Sequence, residues 1–150
     1  MVKAGKIKNT NTIDFFSSDT STELFLNFAS AEISAGFPSP ADDYLDVSLD
    51  LNKELIKNPS STFLGRVKGI SMKDAGIDEG DILIIDKSLE PKNNSIAVCF
   101  IDGDFTLKRI KIEKKEIFLV PENSDYKPIR ITDNNDFMIW GVVAYVIKKV

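Results

Sequence analysis

The chain contains no histidine in 150 residues and only one cysteine, Cys99. Without histidine, the usual base that activates a serine or cysteine nucleophile is missing. The two shortages together exclude an internal disulfide and the common kinds of zinc site. Long apolar runs are absent too, and nothing approaches the roughly 20 residues of a membrane-spanning helix. Met1-Val2-Lys3-Ala4-Gly5-Lys6 carries charge with no hydrophobic stretch behind it, so no secretory signal is expected and a cytoplasmic location is. Neither of the glycine-rich phosphate-binding patterns occurs. Net charge is -4 and the 19 basic residues are scattered, which argues against a protein that holds nucleic acid by itself and for a protein partner. No metal and no cofactor are expected.

What is present is a chain 43% hydrophobic, enough for one ordinary core. From Thr62 onward the pattern is one of short strands: Thr62 to Val67, Ile82 to Ile85, Ser95 to Ile101, Asp104 to Ile112, Glu116 to Val120, Ile129 to Thr132 and Phe137 to Ile147. The continuous apolar run at Ile82 predicts cover on both faces, and Asp102-Gly103 is a two-residue hairpin signal. Many short strands separated by turns predict a mainly β fold, a sandwich or partly open barrel. Asp50 to Pro59 reads as a short helix capped by Asp50. Cys99 lies in an apolar strand and reads as a buried structural thiol.

The N-terminal part is different. Residues 1 to about 19 are polar apart from Phe15 and Phe16, with little to bury, and are expected to be mobile. Thr20 to Glu23 resembles a capping box, ahead of either a short helix or a docked strand. Residues 29 to 43 crowd small side chains around Ala35-Gly36 before Pro38 and Pro40, so an extended, exposed segment is expected. Such a segment suits a peptidase cleft; composition alone favours a plain linker between an N-terminal arm and the domain.

One serine stands out: Ser71, in Gly69-Ile70-Ser71-Met72, just ahead of a turn-rich stretch. With no histidine, its base must be a lysine or a carboxylate. Lys108 is the best candidate. Strand alternation places it on one face with Thr106, Ile110 and Ile112, opposite Phe105, Leu107, Arg109 and Lys111. A lysine on an apolar face loses hydration, which favours its neutral amine. The plainer alternative is a stem lying on apolar surface with its head in water. Asp42-Asp43 and Asp78-Glu79 read as solvated turn acids, and Tyr126 and Trp140 as packing residues.

Taken together, Ala35-Gly36, Ser71 and Lys108 resemble the self-cleaving serine–lysine peptidases of the LexA type, and among them the UmuD branch. The resemblance runs from about Ser34 to the C-terminus. It includes Gly36 to Tyr44, Asp50-Leu51-Asn52, Gly80-Asp81, Pro121-Glu122-Asn123-Ser124 and Trp140-Gly141-Val142-Val143. It implies a LexA- or signal-peptidase-like β-domain over 36–150, with a flexible arm, 1–35, removed by self-cleavage. It implies Ser71 as nucleophile, Lys108 as its base, the backbone amides of Ser71 and Ile70 as oxyanion hole, and scission between Ala35 and Gly36. Cleavage would be stimulated by a RecA–single-stranded-DNA filament. The trimmed homodimer would serve a UmuC-like Y-family polymerase in translesion synthesis during the SOS response. No specific DNA binding and no membrane are implied. Two alternatives stand beside it: a LexA-like or phage-type regulator lacking its DNA-binding half, and a non-enzymatic polymerase-binding module.

Overall fold

The computed structural model describes residues 6–9, 12–21, 23, 25–28 and 47–150. Ala35, Gly36, the Asp42-Asp43 pair and the stretch expected to be extended all lie outside the described residues. In chain order the elements are β1 (Lys6–Asn9), β2 (Ile13–Ser17), β3 (Phe25–Phe28), β4 (Val47–Asp50), α1 (Leu51–Leu55), β5 (Thr62–Val67), β6 (Ile82–Asp86), β7 (Ile96–Ile101), β8 (Asp104–Glu113), β9 (Glu116–Val120), β10 (Ile129–Arg130) and β11 (Phe137–Ile147). Nine strands form one open sheet in the order β1-β2-β5-β6-β11-β7-β8-β9-β10, and β3 pairs with β4 apart from it. The expected mainly β fold is what the chain adopts. The single described α-helix is capped as its sequence predicts, Asp50 accepting a hydrogen bond from the Asn52 backbone N–H at 3.0 Å.

Tight turns set the registers. Asp102 and Gly103 both have positive φ, 49° and 95°, the backbone that matches strand twist in a two-residue hairpin. They join β7 to β8 with Ile101 opposite Asp104. Lys114 and Lys115 do the same between β8 and β9 without any glycine, at φ 49° and 66°. β11 carries two bulges, one between Ile139 and Gly141 against β7, the other between Val143 and Tyr145 against β6. A bulge bends its strand, so β11 pairs first with β7 and then with β6 and bends the sheet at its middle. Gly141 sits at that bend, where an added Cβ would lie 2.6 Å from Ile85 Cγ2.

The bent sheet buries two clusters. The larger gathers Ile13, Phe15, Val67, Met72, Ile77, Leu83, Ile85, Val98 and Leu107; the other holds Ala97, Cys99, Ile110 and Leu119. Leu83, Ile84, Ile85 and Asp86 of β6 are all buried, the two-sided cover its sequence predicts.

Two expectations are corrected. Residues 13–17 are not a segment with little to bury: Ile13 is fully buried, Phe15 nearly so, and β2 pairs with β5 over five residues. The pattern Ile13-Asp14-Phe15 is an alternating strand too short to rise above its polar flanks. The partition of β8 into an apolar and a solvent-like face also fails locally. Leu107 is as buried as Ile110, because the sheet is covered on both sides there, while Ile112 is exposed.

Candidate active site

After β5 ends at Val67, the chain turns at Gly69, whose φ of +90° is left-handed and suits glycine. Ile70, Ser71 and Met72 follow. Met72 is buried in the larger core cluster, Ile70 is exposed and Ser71 half-buried between them. The short 3-10 turn Lys73–Ala75 closes the loop, with the Ala75 and Ile77 backbone N–H groups donating to the Met72 carbonyl at 3.1 and 3.3 Å. Ser71 is therefore presented by a loop pinned through its neighbour.

Lys108 comes from the middle of β8 and is only 7% exposed. Its Nζ lies 3.4 Å from Ser71 Oγ, 2.5 Å from Thr106 Oγ1 and 3.1 Å from the Leu107 carbonyl oxygen. With the residue so little exposed and its amine held by protein acceptors, the snorkelling alternative does not describe this lysine. Burial pushes the Lys108 amine below the ordinary lysine range, with the Cys99 thiol a smaller opposing influence. Cys99 is fully buried beneath it, its pKa pushed up to about 12 by burial against the pull of Lys108. It is a neutral thiol at physiological pH, in line with a structural role.

The three contacts of Lys108 match the valence of a neutral amine. Two N–H bonds can donate to Thr106 Oγ1 and the Leu107 carbonyl, leaving one lone pair for a hydroxyl proton at Ser71. An ammonium would instead donate to all three. The same shell serves both protonation states, as proton transfer requires.

A segment whose contacts escaped the sequence reading holds the two halves together. Asn123, 3% exposed, donates through Nδ2 to the Ile70 carbonyl at 2.7 Å. Its Oδ1 accepts from the Asp125 backbone N–H at 3.0 Å. The Glu122 backbone donates to Met72 Sδ at 3.4 Å, and the Glu122 carbonyl accepts from the Asp74 N–H at 2.7 Å. The Glu122 carboxylate also pairs with Arg109, the next residue along β8 from Lys108. The strand bearing the lysine and the loop bearing the serine are thus tied through residues 122–123. Because a trans peptide opposes its C=O and N–H, anchoring the Ile70 carbonyl on Asn123 turns the Ser71 N–H the other way. The spacing of Pro121-Glu122-Asn123-Ser124 carried no hint of these contacts.

The remaining candidates fall elsewhere. Asp78 and Asp81 accept from Lys148 Nζ at 2.7 and 2.6 Å, so Asp78-Glu79 is not an acid/base pair. Tyr126 is exposed, and Trp140 packs with Phe15, Phe63 and Phe105. Among the described residues no group of histidine, cysteine or acidic side chains is placed to hold a metal ion. No described helix is long and apolar enough to cross a membrane.

A half-buried serine hydroxyl and a buried lysine amine thus meet on a β scaffold. A model of the family described as Peptidase S24-like matches residues 27–144, more than three quarters of the chain. Protein MucA of Salmonella typhimurium is 38% identical over 135 residues, covering 89% of this chain and 92% of that one. Protein ImpA of Escherichia coli is 41% identical over 115 residues, covering 77% and 78%. Protein SamA of Salmonella typhimurium is 41% identical over 115 residues, covering 77% and 79%. The chain belongs to the S24 peptidase family and is of the UmuD-like kind.

Proposed function

We propose that this protein is a self-cleaving serine endopeptidase in which Lys108 activates Ser71 for one attack on its own chain. The observation that supports it most is the 3.4 Å approach of Ser71 Oγ to an amine whose pKa burial depresses. Neutral Lys108 takes the Ser71 proton as Oγ attacks the carbonyl carbon of Ala35. The Ser71 and Ile70 amides receive the developing oxyanion. Lys108 then returns the proton to the Gly36 nitrogen as the Ala35–Gly36 bond breaks, leaving an ester on Ser71. Water, deprotonated by Lys108, attacks that ester; Lys108 returns the proton to Ser71 Oγ as the C–O bond breaks, and the Ala35 carboxylate is released. The products are an arm, 1–35, and a β-domain, 36–150.

Phe28 of β3 pairs with Val47 of β4, so the bond to be cut is tethered at both ends. Ala35 can lie no more than roughly 25 Å from Phe28 at full extension. The same tether allows attack within one chain or between two. Family membership supports a regulated reading: cleavage promoted by a RecA–single-stranded-DNA filament, then a trimmed homodimer acting as accessory subunit of a UmuC-like Y-family polymerase in SOS mutagenesis. Such a protein works in the cytoplasm.

Incubation of pure protein from neutral to alkaline pH, followed by intact-mass analysis, tests the chemistry. Cleavage at Ala35–Gly36 should accelerate as Lys108 loses its proton, then level off. Ser71→Ala and Lys108→Ala should abolish it. Cleavage that persists in Ser71→Ala, or that no form shows even with RecA filament, would sink the mechanism. The second outcome would favour a non-enzymatic polymerase-binding module. Retention by operator DNA would favour a regulator without its DNA-binding half.

A further inference from the structure

The strand β2 sits in a slot that the rest of the chain is built to hold. It pairs with the β5 edge from Ile13↔Val67 to Ser17↔Phe63, and the pairing is extended by Lys68 N–H to the Thr12 carbonyl at 2.7 Å. Ser18 Oγ donates to the Thr62 carbonyl at 3.1 Å, and Lys68 Nζ meets Asp14 Oδ1 at 2.7 Å. The slot is shaped as well as hydrogen-bonded. Gly65, opposite Phe15, leaves the space in which Ile13 lies: a Cβ there would fall 2.9 Å from Ile13 Cγ2. Phe15 fills an aromatic box, its ring centroid 4.8 Å from that of Trp140 and 5.1 Å from that of Phe105. β3 supplies a second attachment, pairing with β4 from Phe25↔Asp50 to Phe28↔Val47. Both attachments precede position 35.

We infer that the β5 edge is a strand-acceptor site for residues 12–18, and that breaking the chain between β3 and β4 leaves the N-terminal piece bound as a separate peptide. Strand addition of this kind draws affinity from main-chain hydrogen bonds and specificity from pockets for alternate side chains. Here those side chains are Ile13 and Phe15. Two attachments joined by a short linker reinforce each other, because once one holds, the other rebinds at high effective concentration. An emptied slot would expose both a sheet edge and the aromatic box, and neither is tolerated well in water. The slot stands apart from the peptidase reading; only its natural trigger rests on that reading.

The test uses the full chain with Ser71→Ala and a recognition sequence for an unrelated site-specific protease placed within 29–46. After the added protease has cut, size-exclusion chromatography with intact-mass detection should find both pieces in one peak at the position of the uncut protein. Amide exchange should leave β2 and β5 as protected as before the cut, and the emission of Trp140, the only tryptophan, should be unchanged. Separate elution of the N-terminal piece, or loss of protection along β5, overturns the proposal. A Phe15→Ala version of the same cut protein should lose the piece from the peak; equal retention would show that the slot is not the anchor. Failure of Ser71 to cleave its own chain leaves every one of these readings intact, since the added protease makes the cut.

Discussion

At the scale of single residues, Lys108 makes a prediction independent of catalysis. Its pKa is depressed in the fold by burial, so between that value and the ordinary ~10.4 the unfolded chain binds more protons than the folded one. Stability conferred by this residue therefore rises with pH through that window and is lowest below it, where a charged amine must stay buried. Lys108→Met should flatten this component, seen as a wild-type-minus-variant difference in denaturant unfolding free energy that grows with alkaline pH. Taking the difference removes the opposing contribution of Lys148, whose pKa its bonds to Asp78 and Asp81 raise. Thr106→Val removes an acceptor that favours the ammonium. The pH at which cleavage reaches half its plateau should fall, and the plateau itself should drop because the amine loses its fixed direction. An unmoved midpoint would mean that Thr106 does not set the protonation of Lys108. Ser71 and Lys108 were legible in the sequence as a serine without histidine and a lysine on a strand face. Thr106 stood on the same predicted face, but only coordinates reveal which neighbours a flexible amine meets.

At the scale of elements, the segment 121–125 is the brace between β8 and the Ser71 loop. Asn123→Ala removes the donor to the Ile70 carbonyl and leaves buried polar groups short of a partner, at a cost of about 1–3 kcal/mol in stability. The loop would lose the anchor that orients the Ser71 amide. Self-cleavage should slow by on the order of a hundredfold, as for a displacement of about 1 Å at a reacting atom, with the midpoint of its pH profile unchanged because Lys108 is untouched. Single-turnover rates across pH check both parts. Strand bounds at β5, β9 and β11 agree with the alternation in the sequence, because each is flanked by turn residues and long enough to show its period. β2 was not readable in that way. Its partner strand lies some fifty positions downstream, and the space for Ile13 is made by an absence, the missing side chain of Gly65. Gly65→Val should cost about 1–3 kcal/mol through overpacking, measured as a lowered unfolding midpoint. The Lys114-Lys115 turn likewise lacks the glycine or asparagine that announces such a hairpin, and is imposed by the pairing of β8 with β9.

At the scale of the whole molecule, the sheet is one continuous surface from β1 to β10, and the Ser71–Lys108 pair lies between its middle and the loop that follows β5. The division expected at position 35 is not one of packing, since strands on both sides of it share a sheet. This is why composition, which sets the polar N-terminal stretch apart, marks a real division in sequence and still hides a structural unity. The clamp from Lys148 to Asp81 ties the end of β11 to the turn before β6. Burial pushes the Asp81 carboxyl up, but the Asp78 backbone hydrogen bond and Lys148 outweigh it and leave the pKa below the ordinary value. Stability from this group is full above about pH 4 and is lost as pH falls through the folded value. Asp81→Asn should therefore unfold with a shallower dependence on acid than the wild type, followed by tryptophan fluorescence.

The pairing of Phe28 with Val47 and of β2 with β5 has a kinetic consequence. While the chain is whole, every strand finds its partner by a first-order search, and a denatured molecule can recover at any dilution. Once the connection is broken, the same sheet must be assembled from two molecules, and recovery becomes second order and fails when the pieces are scarce. A single scission would leave the native architecture in place while erasing the ability to regain it, so each cut molecule would keep a record of the event only for as long as it stays folded.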